Sequence, residues 1–308
     1  MKCVVTGGAG FIGSNLVDKL IEDNHEVIIF DDLSTGQMEN INPKATFHKV
    51  DISESYLVRT GWYKTVMWGA DVVFHTAAKA RVQPSIEDPI SFNNVNITGT
   101  LNMLKASVEA KVERFVYSSS SSVYGNVEKL PTPENYELNP MSPYALQKLM
   151  GEQYCKLFSD LYDLETVCLR YFNVYGDRMN LNGAYKLVIP IFTEQKLNGE
   201  PMTIRGDGEQ RRDFTYVGDV VEANIKAGFN AKLPIFPCKG DVFNIGNGDN
   251  RSVNQIADMI GGDRINIEPV IEPKETLADN SKARNIIDWT PTMKIENWIT
   301  KYKEQIGL

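Results

Sequence analysis

A chain of 308 residues, 42% hydrophobic and 23% charged, has ordinary globular composition and room for about two domains, which excludes disordered, collagenous and coiled-coil classes. Forty acidic against 32 basic residues give a formal charge of −8, which argues against nucleic acid or an anionic membrane as a partner. Four cysteines without a CxxC pair predict reduced thiols; the absence of any apolar run near ~18 residues predicts no membrane span; and a strand-like start at Cys3 leaves no room for a signal peptide, so the expected setting is cytoplasmic.

In chain order, Lys2–Thr6, Glu26–Phe30, Ala45–Val50, Val72–His75, Arg114–Ser118 and Glu165–Arg170 read as strands. Several are apolar on both faces, as buried parallel strands are. Between them Phe11–Asn24, Asn93–Glu109 and Pro143–Leu161 read as helices. The alternation predicts an α/β fold: a Rossmann-type doubly wound parallel sheet. Beyond Arg170 the loops lengthen, and helices are expected at Lys186–Asn198, Val217–Gly228, Val253–Ile260 and Lys294–Gln305. The expected division is a dinucleotide-binding domain over 1–172, with a return segment at about 212–243, and a smaller C-terminal α/β substrate domain over 173–308. The serine run Ser118–Ser122 reads as a row of hydroxyls at a strand end.

The run Thr6-Gly7-Gly8-Ala9-Gly10-Phe11-Ile12-Gly13 joins the first strand to the first helix. Gly7 permits the tight turn, Gly10 lets backbone amides approach a pyrophosphate, and Gly13 lets helix pack on strand. The helix N-terminus then faces the phosphates. No GK[ST] follows, which argues against a triphosphate loop. The second strand ends in Asp31-Asp32, eighteen residues past Gly13. A carboxylate there holds both ribose hydroxyls and repels a 2′-phosphate, and no Lys or Arg occurs from Asp31 to Glu39, so NAD is expected over NADP. Asp51 and Ile52, after the third strand, are candidates to frame the adenine.

Tyr144 and Lys148 stand four apart on a predicted helix, hence on one face. A phenol near its ordinary value of about 10 is no base at neutral pH. A neighbouring ammonium and a nicotinamide cation both favour the phenolate.

The TGGAGFIG opening, Asp31-Asp32-Leu33-Ser34-Thr35-Gly36, His75-Thr-Ala-Ala78, Asn96-Ile-Thr-Gly-Thr100, Ser-Ser-Ser-Val-Tyr-Gly125, Arg170-Tyr-Phe-Asn-Val-Tyr-Gly176, Gly206-Asp-Gly208, Arg212-Asp213, Phe243-Asn-Ile-Gly246 and Ala278-Asp-Asn-Ser-Lys-Ala283 resemble, end to end, the extended short-chain dehydrogenase/reductase family, within it the nucleotide-sugar epimerases and dehydratases. The resemblance implies that Tyr144 is the base, that Lys148 binds the nicotinamide ribose and biases Tyr144, and that Ser120 hydrogen-bonds the reacting sugar hydroxyl. It implies a cofactor site of Gly7, Gly10, Phe11, Ile12, Gly13, Asp31, Asp32, Ser34, Thr35, Gly36, Asp51, Ile52, Ala77, Ala78, Lys79, Asn96, Ser118, Tyr144, Lys148 and Tyr171. The nucleotide-sugar site would comprise Lys79, Ser120, Ser121, Tyr144, Asn173, Val188, Thr203, Arg205, Arg212, Asp249, Lys274 and Thr276. Asn173 and Arg212 match positions that hold the nucleotide's phosphates, a task suited to the guanidinium fork.

Related dehydratases carry Asp-Glu directly after the Ser/Thr position; here Ser121 and Ser122 stand there, and a serine does not transfer that proton at neutral pH. The expected reaction is therefore NAD-dependent 4-epimerisation of a UDP-hexose or UDP-N-acetylhexosamine, with no net redox. The ranked alternatives are a UDP-glucuronate 4-epimerase, whose members typically carry Thr where Asn173 stands, and a dehydratase or reductase. Glu87-Asp88-Pro89-Ile90 and Asn182-Gly183-Ala184-Tyr185 resemble enzymes acting on N-acetylhexosamines. Thr276, at a position that gates the sugar pocket in the family, leaves room for an acetamide. The family's second phosphate-binding Arg is replaced by Pro269, with Lys274 as a substitute lacking the fork. By analogy a homodimer is expected through Asn93–Glu109 and Pro143–Leu161, packed as a four-helix bundle. The three histidines are too scattered for a metal site, His75 is expected to be structural, Cys155 and Cys168 to pack in the core, Trp62 and Trp68 to pack helix on sheet, and Glu268–Asp279 to be a solvated loop.

Overall fold

A computed structural model describes residues 1–179, 188–229, 239–269 and 273–308. Asn182–Tyr185, Lys186, Cys238 and Val270-Ile271-Glu272 lie outside the described residues. Seven parallel strands form one sheet in the order Lys239–Ile245, Glu165–Tyr171, Arg114–Ser120, Val72–His75, Lys2–Thr6, Glu26–Asp31, Thr46–Lys49. Chain order reverses between Lys2–Thr6 and Val72–His75, and in doubly wound sheets the crevice at that reversal takes the ligand. Both sheet faces are covered, which is why the central strands are apolar throughout: Val4 and Val5 are both fully buried, one in each of two cores.

The strand Lys239–Ile245 was not among the expected ones. Its first half, Lys239-Gly-Asp241, is polar, and only its pairing with Glu165–Tyr171 makes it a strand. The serine-rich strand runs two residues further than expected, to Ser120, and turns at once into a 3-10 turn, Ser121–Tyr124. The helix expected from Asn93 starts at Pro89, where Asp88 accepts from the Ser91 amide at 3.1 Å, and widens to a π-helix over Asn94–Gly99 before Thr100–Ala110. The longest helix, Pro143–Tyr162, begins on a Ser142 cap that accepts from Ala145 at 3.2 Å, with Pro143 in the first turn.

A separate core lies C-terminal to the sheet. Tyr175, Phe192, Met202, Ile204, Ile256 and Trp298 are its buried members. It is built on the helices Val188–Leu197, Val253–Ile260 and Ile295–Ile306 and the strand pair Met202–Arg205 with Arg264–Ile267. The helix Val217–Phe229 instead returns to the first sheet, where a Cβ on Gly228 would stand 2.6 Å from the Phe74 ring. Two expectations are corrected. Trp68 is 58% exposed, whereas Trp62 does pack, 5.7 Å from Phe30 and 5.4 Å from His48. The acidic stretch is not simply solvated: Glu275 bridges Arg211, Ala278 bridges Thr132, and the Ala278 amide donates into the core at Asp213. No described helix is long and apolar enough to cross a membrane.

Candidate active site

The glycine loop folds against the neighbouring strand ends with no room for side chains. Gly7 has φ +72°, and a Cβ there would lie 2.7 Å from the Ala77 nitrogen; a Cβ on Gly13 would lie 2.2 Å from the Gly7 carbonyl oxygen. The Gly7 amide donates to Phe30 at 2.7 Å and the Gly10 amide to Gly7 at 3.1 Å, which sets the start of the helix Phe11–Glu22. Phe11 reaches the C-terminal core and Ile12 the sheet core. Asp31 is nearly buried at the end of its strand. Its carboxylate accepts from the Ala9 amide at 3.0 Å and the Leu33 amide at 2.8 Å. Burial pushes this carboxyl up from its ordinary value, and those two amides pull it back. Asp31 therefore also opens the turn that follows. Asp32 in turn accepts from the Ser34 amide and hydroxyl, and Gly36 folds back so closely that a Cβ would touch both Ala9 and Asp31, while Thr35 joins the two.

Asp51 caps its own turn by accepting from Ser53 at 2.8 Å. Ile52 is buried against Gly99, inside the π-helical stretch. That stretch brings Asn96 inward: its amide oxygen accepts from the Lys79 amide, and its nitrogen donates to the Lys79 carbonyl and to Gln147, all at 2.9 Å. Ala77 donates to the Thr6 hydroxyl at 3.2 Å, Ala78 follows it, and the Lys79 ammonium donates to Ser91 at 2.9 Å.

Gln147 lies on the helix that carries Tyr144 and Lys148, so the loop 77–79 and that helix are fixed to one another. Lys148 is 4% exposed and donates from Nζ to the Ser118 carbonyl at 2.7 Å. Its ammonium stands 6.0 Å from the Tyr144 ring and 5.1 Å from the Tyr117 ring. Burial lowers Lys148 to about 8, opposed by the nearby Cys155 and Glu152. Burial also raises the Tyr144 phenol, while its hydrogen bond with Ser120 and the charge of Arg81 lower it. Ser120 in turn accepts from the Ser122 hydroxyl at 2.9 Å, and Ser121 begins the turn beside it. The structure thus brings Tyr144, Lys148 and Ser120 together at the C-terminal edge of the sheet. Tyr171 is different: its phenol is buried behind Ser118, 3.0 Å from that hydroxyl, and bonds Asn224.

The other residues expected for the nucleotide sugar lie beyond the strand Glu165–Tyr171. Asn173 donates to the Asp213 carbonyl at 3.1 Å and to Thr276 at 3.3 Å. Arg212 lies on the short strand Arg211–Asp213 and donates to the Arg211 carbonyl. Asp249 pairs with Arg251 at 2.7 Å, and Thr203 is clamped by Gln195 through both its amide and its hydroxyl. Val188 opens its helix, Arg205 ends its strand in solvent, and Lys274 is exposed with its carbonyl accepting from Arg211 at 2.9 Å. Pro269 packs on Gly206.

Three groups of this region were not singled out in the sequence. Glu152, two helical turns from Tyr144, forms a buried ion pair with Arg170 at 2.7 Å and accepts from Ser119. Arg170 also donates to the Tyr124 hydroxyl at 2.8 Å. Asp213, fully buried, accepts from the amides of Asn247 at 2.7 Å and of Gly248 and Ala278 at 3.0 Å. Burial raises its carboxyl to about 7 against the pull of those three amides. Its adjacency to Arg212 in a quoted motif was the available signal. Arg81 gave none beyond its nearness to Lys79.

The model of the NAD dependent epimerase/dehydratase family matches residues 3–246. A relative described as a putative UDP-glucose 4-epimerase of Methanocaldococcus jannaschii is 45% identical over 258 residues, 83% of this chain and 80% of that one. The crystal structure of the Thermotoga maritima UDP-glucose 4-epimerase with UDP-glucose superposes with a TM-score of 0.89 at 36% identity, covering 99% of this chain and 100% of the other. A UDP-N-acetylglucosamine 4-epimerase of Methanobrevibacter ruminantium, solved with UDP-N-acetylmuramic acid, gives a TM-score of 0.89 at 36% identity over 99% and 98% of the two chains. The chain belongs to the NAD-dependent epimerase/dehydratase family.

Proposed function

We propose that this protein interconverts the C4 epimers of a UDP-hexose or UDP-N-acetylhexosamine with bound NAD. The observation that carries the reading is the cluster of Tyr144, Ser120 and Lys148, followed by Ser121 and Ser122 where a dehydrating site needs an acid and a base. The cradle fits a dinucleotide: the backbone of Gly7, Gly10 and Gly13 is bare, and Asp31 and Asp32 end the second strand. Those residues, with Ser34, Asp51, Ala77, Lys79 and Lys148, would hold the cofactor. When bound, NAD supplies the acceptor and donor of the C4 hydrogen and a positive nicotinamide ring. Tyr144 takes the proton of the sugar O4 and returns it. Ser120 hydrogen-bonds the same oxygen and orients it. Lys148 stabilises the phenolate from beneath. Asn173 and Arg212 hold the diphosphate while the 4-keto sugar turns over, so both faces of C4 are presented in succession. Lys274 is exposed near the strand of Arg212 and is available as a second phosphate contact.

Thr276, small and tied to Asn173 and to the Asp213 amide at 3.2 Å, supports room for an acetamide at C2. Two separate apolar cores support a division into 1–172 with its return at about 212–243, and 173–308. Ile90 is 74% exposed, and Leu146, Leu157 and Leu161 are exposed on one face of the helix Pro143–Tyr162, which supports a homodimer through these helices. The test is NMR of the purified protein with UDP-glucose and, separately, UDP-N-acetylglucosamine, without added NAD. An equilibrium mixture of C4 epimers is expected. If neither sugar changes even with NAD supplied while UDP-glucuronate does, the sugar assignment fails; if none changes, the epimerase reading fails.

A further inference from the structure

Arg81 is a cation without a hydrogen-bond or ion-pair partner among the described residues. It is half-buried immediately before the helix Val82–Glu87, and its φ of 108° lies in a region that residues with a side chain rarely adopt. Backbone strain and a partly dehydrated charge both call for a compensating contact. The helix that follows is pinned to the one carrying Tyr144, because the Ser85 hydroxyl accepts from the Tyr144 amide at 3.1 Å and donates to the Val82 carbonyl at 2.6 Å. Arg81 immediately precedes Val82, whose carbonyl shares the Ser85 hydroxyl with the Tyr144 amide, and its charge acts on the Tyr144 phenol.

We propose that Arg81 supplies a fixed positive charge to the Tyr144 phenolate, alongside Lys148. The inference deepens the epimerase reading and rests on it for its role in turnover. It explains the missing counter-ion: the phenolate is the anion that completes the pair, and the proton taken from the sugar hydroxyl discharges it until that proton is returned. It also explains why one cation is not enough. Burial lowers Lys148 from its ordinary value, whereas a guanidinium, though also lowered by burial at Arg81, keeps its charge. The groups facing Tyr144 are Ser120 and Tyr117 from the strand Arg114–Ser120, Lys148 from its own helix and Arg81 from the segment before Val82–Glu87; Glu152 and Cys155 act on Lys148. From Pro89–Gly99, the uncharged Asn96 bonds Gln147 on the helix of Tyr144, and Ser91 holds the Lys79 ammonium.

The test is a tyrosinate absorbance titration of the purified protein with its bound cofactor, as wild type, Arg81→Gln and Arg81→Lys, each corrected by the same protein carrying Tyr144→Phe. Tyr144 is expected to titrate about one unit higher in Arg81→Gln and near wild type in Arg81→Lys. The acid limb of kcat/KM with a neutral UDP-hexose should move by the same amount. An unmoved Tyr144 in Arg81→Gln, or equal shifts in Gln and Lys variants, overturns the proposal. So does a loss confined to KM for a carboxylate-bearing sugar, which would make Arg81 a substrate contact. The titration needs no substrate, so it can fail or succeed separately from the epimerase reading.

Discussion

Lys148 donates to the carbonyl of Ser118 at 2.7 Å, and this bond locks the helix of Tyr144 to the strand that ends in Ser120. The two hydroxyls that face the sugar in the proposed reaction therefore sit on elements fixed to each other. Replacing Tyr144 with Phe removes only the proton carrier. The expected outcome is a fall in kcat of about 10²–10⁴, with UDP binding by calorimetry unchanged. Ser120→Ala should act in the same direction.

The Glu152–Arg170 pair is buried and sits beneath that cluster. Glu152→Ala leaves the Arg170 guanidinium buried without its carboxylate, a loss of about 3–5 kcal/mol. Urea denaturation should show a midpoint well below wild type, and Glu152→Gln a smaller fall, because the amide oxygen still accepts one bond.

His75 stands fully buried between the hydroxyls of Thr6 at 2.9 Å and Thr100 at 3.0 Å. Burial, aided by the Lys148 charge, depresses it from 6.5 to about 3. The folded imidazole stays neutral while the unfolded one takes a proton below about 6.5, so stability is whole above that pH and falls as the pH drops toward 3. His75→Gln should flatten this dependence. Urea midpoints at neutral and at mildly acid pH check it: wild type should lose more between the two than the variant does.

Asp213 gathers the amides of Asn247, Gly248 and Ala278 around one carboxylate, next to Arg212 and one bond from Thr276. Asp213→Ala frees two loops, 247–248 and the one at Ala278, that adjoin the proposed substrate contacts. KM for the nucleotide sugar should rise roughly tenfold, about 1.4 kcal/mol, with kcat less affected. A kcat loss with unchanged KM would contradict this.

The glycine loop, Asp31 and the Tyr144–Lys148 pair were legible because each is a local pattern: a turn after an apolar strand, a strand-end carboxylate, a helical spacing. Lys239–Ile245 was not, because half its residues are polar and its strand character comes from the neighbour it pairs with. Asp213 and Glu152 read as ordinary acids, and only the tertiary fold buries them. Arg81 depends on a positive φ, which a non-glycine residue does not announce. Trp68 misled because apolarity alone does not say which side of a short helix faces inward.

The π-helix over Asn94–Gly99 bonds i→i+5 and so holds one residue more than an α-helix would need to join the segments on either side of it. It therefore absorbs a residue without changing the phase of its flanks. Removing one residue there would let Pro89–Asn93 and Thr100–Ala110 join as one regular helix, yet it would erase the widened turn that carries Asn96 inward. Asn96 would leave both Lys79 and Gln147. The extra residue is what brings the Asn96 amide within reach of both Lys79 and Gln147.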